Sequence, residues 1–268
     1  MLSIEDILGL PGIDDLPIED ALDDVGRLID HASHHCEREL AERALDWCGG
    51  LEGRDLRLAH RALLNYFQAN AWASRQAASR QDRAAAWAWE QPELQKQIYY
   101  LRQALNNPAF GSLEAIRRCQ ILTNLANQLD TAGRFVEACT YWTQALAVDP
   151  DFWMAIGNRG VGLLQYAKAL YDRGHGAIFR LFAHRDLVKA ADSARRYPHL
   201  GDAALANYYL QHATAVERII EPSIVAKAYH QDDHALGDTS EERKYRNWCL
   251  RETLFLNPLN DLEARSIA

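Results

Sequence analysis

An all-α fold of stacked antiparallel helix pairs is predicted by three features of this 268-residue chain. Apolar residues recur at three- and four-residue spacing through most of its length, and strand-like alternation is nearly absent. Residues 122–150 hold one complete helix-turn-helix unit with its stop signals in place. Fragments of that unit recur on both sides, which marks an internal repeat.

The unit has physical content. Leu122, Leu125 and Leu129 put an apolar stripe on a first helix, and Ala126 is the small residue where a second helix approaches closely. Gly133 ends the first helix, because a left-handed C-terminal cap excludes most side chains. Phe135, Ala138, Trp142, Ala145 and Leu146 give the second helix its stripe, and Pro150 stops it. The pattern resembles a tetratricopeptide (TPR) repeat, so a TPR-like solenoid is expected. One such unit buries too little apolar surface to stand alone. Gln103, Ala104 and Leu105 followed by Pro108 echo Gln144, Ala145 and Leu146 followed by Pro150. Ala69 and Asn70 echo Ala126 and Asn127, while Ala155, Asn158, Gly160, Leu163, Tyr166 and Ala167 read as the first helix of a following repeat. Inserts at about 76–90 and 172–176 stretch the ideal period of roughly 34 residues.

In chain order, residues 1–24 form an acidic N-terminal segment with Pro11 and Pro17, expected to hold a short helix and loops. Residues 25–200 form the repeat region, with the clearest repeat at 119–152. Helices are expected at 25–49, ended by Gly49 and Gly50, at 54–79, and at 91–107, where Pro92 and Glu93 suit a first turn. The clear repeat (115–150) follows, then helices at 152–171 and 177–195. Residues 201–268 form a C-terminal helical segment. Its first helix (201–219) breaks near Pro222, and Thr239 with Glu242 makes a capping box for another that stops at Pro258.

A hydrophobic share of 48% supplies ample core. No window approaches the 18 or so apolar residues of a membrane span, and the N-terminus lacks the basic start of a secretory signal, so no membrane association and a cytoplasmic location are expected. A net charge of −8 disfavours sequence-independent binding to nucleic acid by this chain alone. Cys36, Cys48, Cys119, Cys139 and Cys249 are odd in number, widely spaced and hold no Cys-x-x-Cys pair, which argues against a disulfide framework and a zinc knuckle and reads as reduced, mostly buried thiols.

Residues 116–167, together with the tail from Tyr245 to Cys249 and from Leu254 to Leu262, resemble bacterial proteins that join TPR repeats to a C-terminal HEPN domain. The resemblance implies a helical HEPN bundle, in many members a ribonuclease with an Arg-x(4–6)-His motif, in phage-defence or toxin systems. It places that domain after residue 262, so residues 201–268 read as a junction to a HEPN domain that is itself absent here or carried on another chain. The pairs Arg54/His60 and Arg27/His34 fit the motif spacing, but a chain with ten histidines and 24 arginines holds about that many matches by chance.

His31, His34 and His35 beside Cys36, and His230 with His234, have metal-ligand spacing without the general-base glutamate of a zinc hydrolase. Ordinary surface and loop histidines are the simpler reading. No phosphate-binding glycine loop or nucleophile elbow is present. Trp72, Trp87 and Trp89 suit stacking on a base or a partner, with core or inter-repeat packing the simpler reading. No catalytic residue, metal or cofactor is therefore expected. The feature that points to function is a row of amides: Asn70, Asn124, Asn127 and Asn158, with Gln120, Thr123 and Gln165 nearby, fall on the first helix of each pair. An asparagine side chain can pair both the N–H and C=O of an extended peptide; alternatively these amides bridge neighbouring helices. Resemblance to peptide-binding repeats favours Asn127 and Asn158.

The expected function is a non-catalytic scaffold binding a protein or peptide in a concave groove, as the sensing or regulatory part of a HEPN-type defence or toxin system. Part of a HEPN ribonuclease is the first alternative. A homo-oligomerisation module using the apolar C-terminal helix is the second.

Overall fold

The computed structural model describes residues 4–10, 12–79, 91–170, 173–196 and 203–217. Among the described residues there are ten α-helices and no strand: α1 (Ile4–Gly9), α2 (Ile18–His35), α3 (Arg38–Glu52), α4 (Leu58–Ser79), α5 (Pro92–Leu105), α6 (Ala115–Thr131), α7 (Phe135–Val148), α8 (Trp153–Ala169), α9 (Arg173–Arg196) and α10 (Ala203–Glu217). No described helix is long and apolar enough to cross a membrane. The chain divides into two compact units, Met1–Arg134 and Phe135–Ala268. The boundary falls between the two helices of the clearest predicted repeat.

In the first unit, α2 packs on α3 and α4, α3 on α4, α4 on α5, and α5 on α6. Leu28, Leu51, Leu64, Leu94, Leu101 and Leu125 are its fully buried centre. Burying such a leucine contributes about 1.5–3 kcal/mol. The predicted stripe holds: Leu122, Leu125, Ala126 and Leu129 are all buried. So does the predicted stop. Gly133 has φ 77°, and the Arg134 and Gly133 amides donate to the Leu129 and Asp130 carbonyls at 2.8 Å each, the paired bonds of a Schellman cap.

The single helix expected over 25–49 is two. α2 begins at Ile18, with Glu19 and Asp20 in the first turn where the helix dipole favours acids, so it runs through the 24/25 boundary. It ends at Cys36, a non-glycine residue with φ 55° whose amide returns to the Ala32 carbonyl. Gly49 and Gly50 lie inside α3, which continues because Leu51 is buried. Arg43 on α3 caps the short α1, donating to the Ile7, Leu8 and Leu10 carbonyls, with its guanidinium 4.7 Å from the Trp47 ring centroid. That fork ties the end of α1 and Leu10 to α3.

In the second unit, α8 packs on α7 and α9, and α10 rests mainly on α9. Trp142, Ile156, Leu163, Leu187 and Tyr209 are buried there. Three glycines of α8 allow the close approach. A Cβ on Gly157 would lie 2.2–2.6 Å from the Tyr209 ring, on Gly160 2.9 Å from Leu187 Cγ, and on Gly162 2.7 Å from the Trp142 ring.

The thiols behave largely as expected. Cys48, Cys119 and Cys139 are buried and Cys36 is exposed; none of the four is in a disulfide. Burial, with a smaller contribution from Glu52, pushes the Cys48 thiol up to about 12. Iodoacetamide at pH 8 should therefore alkylate Cys36 and spare Cys48, Cys119 and Cys139 until the protein is denatured. Peptide mass mapping reads this directly, and rapid native labelling of Cys48 would contradict the packing of α3. Cys249, Trp87, Trp89, the His230/His234 pair, the Thr239 cap and the 245–268 tail lie outside the described residues.

Candidate functional site

The predicted amides of the first unit meet where α4 and α6 approach. Asn124 on α6 donates from Nδ2 to Oδ1 of Asn70 on α4 at 3.0 Å. Both side chains are half-buried. One bond uses only part of an amide's four-bond capacity, so the Asn70 N–H groups and the Asn124 oxygen can still pair with a further backbone. Gln120, Asn124, Asn127 and Thr131 follow at helical spacing and share one side of α6. Thr131 Oγ1 donates to the Asn127 carbonyl at 2.9 Å. Gln120 accepts from Arg117 Nη1 at 3.0 Å. Thr123 is 2% exposed, and its hydroxyl points to the interior without a hydrogen-bond partner.

Arg117 is a neighbour that the sequence reading passed over. Its guanidinium lies 5.1 Å from the Tyr66 centroid and 5.6 Å from that of Phe67, both on α4, so a cation is fixed near the start of the same α6 face. A second amide group, also passed over, is fully inside this unit. Gln97 donates to Gln76 at 2.8 Å and Gln76 to Gln91 at 2.6 Å, linking α5 and its N-terminal flank to α4. Buried amides in such a chain fix helix register.

In the second unit, Asn158 on α8 accepts a hydrogen bond from the Tyr209 hydroxyl of α10 at 2.9 Å. Gln165 is exposed. Burial raises the Tyr209 hydroxyl pKa well above its ordinary value, so it is a donor at any physiological pH. Beside it, Arg159 grips Asp186 of α9 through two bonds, Nε to Oδ2 at 2.7 Å and Nη2 to Oδ1 at 3.1 Å.

The pairs with nuclease-motif spacing have local occupations. Arg54 Nη2 donates to the Leu16 carbonyl at 2.8 Å, and His60 Nε2 lies 3.4 Å from Glu19. Arg27 lies 3.7 Å from Asp24, and His34 is exposed. The His31 and His35 rings are 4.3 Å apart between centroids, and His34 is 5.0 Å from His35. Among the described residues, no group of three or more His, Cys, Asp or Glu side chains is arranged to hold a metal ion. Arg75 and Lys96 flank the Trp72 ring at 5.0 and 6.0 Å.

No protein-family model, curated protein or solved structure matches this chain.

Proposed function

We propose that the chain is a non-catalytic, TPR-like helical-repeat scaffold that holds a segment of a protein partner in extended form against the first helices of its pairs. The observation that carries this reading is the Asn70–Asn124 pair, two half-exposed amides on α4 and α6 with spare donors and an acceptor. Such amides bind main chain rather than side chain and so hold peptides with little regard to sequence. The aromatic-backed Arg117 on the same α6 face adds a fixed positive charge. An acidic net charge of −8 weighs against nucleic acid as the ligand. On the resemblance of residues 116–167 and the 245–262 tail, the proposal extends to a sensing or regulatory role in a HEPN-type defence or toxin system.

The test uses immobilised full-length protein and a random 12-residue peptide library displayed on phage. Wild type should enrich a set of peptides, and the Asn70→Ala, Asn124→Ala double variant should retain that set at least about tenfold less, the equivalent of one or two hydrogen bonds. Because both partners of one half-exposed bond are removed together, the melting temperature should stay within a few degrees of wild type. Equal retention by the two proteins would leave the pair as a helix bridge only. Failure of any peptide to enrich would remove the binding reading.

A further inference from the structure

Tyr209 of α10 sits against α8 in a seat built from three separate features. Its ring lies where α8 carries no side chain, since a Cβ on Gly157 would meet ring atoms at 2.2, 2.4 and 2.6 Å. Its hydroxyl donates to Asn158 Oδ1 at 2.9 Å. The Trp153 ring stands edge-on to it, with centroids 6.2 Å apart and planes at 69°. Trp153 and Gly157 are one turn apart on α8 and Asn158 follows directly, so wall, floor and acceptor belong to a single rigid helix. The fit is to a phenol. Phenylalanine would leave the Asn158 oxygen without its donor, and a larger ring would meet the α8 backbone.

Asn158 is also one of the amides that the repeat pattern places on the peptide-facing side of a first helix. Its acceptor is thus taken by a residue 51 positions later in the same chain. α10 rests mainly on α9, and its smaller contact with α8 includes the Tyr209 side chain. Its neighbours Tyr208 and Leu210 are exposed.

We propose that the α8 seat formed by Trp153, Gly157 and Asn158 is a subsite for a tyrosine side chain of a peptide partner, which Tyr209 fills as an internal occupant in the unliganded chain. The inference rests on the peptide-binding reading above and adds to it a specificity and a competition. A partner tyrosine enters only when Tyr209 leaves, so the apparent affinity falls by the fraction of time the seat is open. The internal occupant is present at high effective concentration. A partner therefore needs further contacts besides its tyrosine, and the seat rejects short aromatic fragments.

The test uses full-length protein and two phage libraries of 12-residue peptides, one with a fixed central tyrosine and one with phenylalanine. Tyr209→Ala should retain the tyrosine library at least about tenfold better than wild type, with no comparable gain for phenylalanine. Tyr209→Phe keeps the ring and loses the hydroxyl, so its gain should be about fivefold, the equivalent of one neutral hydrogen bond. That variant also carries the test if Tyr209→Ala does not fold. Adding Gly157→Ala to Tyr209→Ala puts a methyl in the seat and should abolish the gain. Equal retention of both libraries by wild type and both Tyr209 variants would overturn the proposal, as would a gain that survives Gly157→Ala. If peptides that depend on Asn70 and Asn124 still bind in that case, only the tyrosine seat is lost; if no peptide binds any variant, the peptide-binding reading falls with it.

Discussion

Asp186→Ala should destabilise the second unit by about 3–5 kcal/mol, the loss expected when one partner of a buried ion pair is removed. The side chains of Arg159 and Asp186 are 13% and 6% exposed, and the guanidinium meets the carboxylate through two bonds, 2.7 and 3.1 Å long. Burial opposes the Arg159 charge, yet the carboxylate more than offsets it and holds the guanidinium pKa above its ordinary value. Without Asp186 the charge stays and the carboxylate that held it through two bonds goes. Arg159→Ala should be similarly damaging, because it leaves a carboxylate in the same place. The double variant Arg159→Met, Asp186→Leu should recover most of the loss, since an apolar pair of similar volume removes both desolvation penalties. Whole-domain stabilities are about 5–15 kcal/mol, so either single variant consumes a large part of the total. Urea unfolding, with hydrogen exchange of α8 and α9 to assign the transition to this unit, measures all three. Single variants within about 1 kcal/mol of wild type would mean that water reaches the pair and that it is an ordinary surface bridge.

How far such features can be read beforehand depends on whether their causes are local. The α6 cap was legible because Gly133 is the residue a left-handed cap selects, and the stripe Leu122, Leu125, Leu129 because periodicity reports burial. The break at Cys36 was not. No glycine or proline marks it, and a non-glycine residue in left-handed geometry carries an energy penalty of about 1–2 kcal/mol that only surrounding packing can offset. Gly49 and Gly50 misled in the opposite direction: they are local stop signals, overridden because Leu51 is buried one residue further on. The same division runs through the candidate site. Asn70 and Asn124 were expected on helices from the apolar spacing around them, but their 3.0 Å pairing depends on how α4 meets α6. Arg159 and Asp186 are 27 residues apart on different helices, and no sequence period links them. The α8 glycines lie between these cases. Gly160 was legible as part of a first-helix pattern, while the side chains that the three glycines receive, Tyr209, Leu187 and Trp142, were not.

Those glycines give a prediction in which one substitution changes sign with its surroundings. Gly49→Ala should stabilise the protein by up to about 1 kcal/mol, because the position is exposed within α3, nothing lies within 4 Å of the new methyl, and alanine is the better helix former. At Gly157 the same propensity gain of about 1 kcal/mol meets a filled space. The methyl would sit 2.2 Å from a Tyr209 ring that is itself fully buried, so the whole side chain must move. Overpacking of this kind costs about 1–3 kcal/mol, and the displaced Asn158 bond about 1 kcal/mol more. The net loss should be about 1–3 kcal/mol. Gly160→Ala should fall in the same range, because Leu187 Cγ at 2.9 Å and the Ala183 carbonyl oxygen at 3.2 Å both belong to α9 and the second is backbone. The helix as a whole must then retreat. Thermal denaturation of the three variants side by side decides the matter: stabilisation at all three positions would show that α8 does not approach α9 and α10 closely enough to need glycine, whereas a gain at Gly49 with losses at Gly157 and Gly160 identifies close packing, and not helix propensity, as the reason the α8 glycines are there.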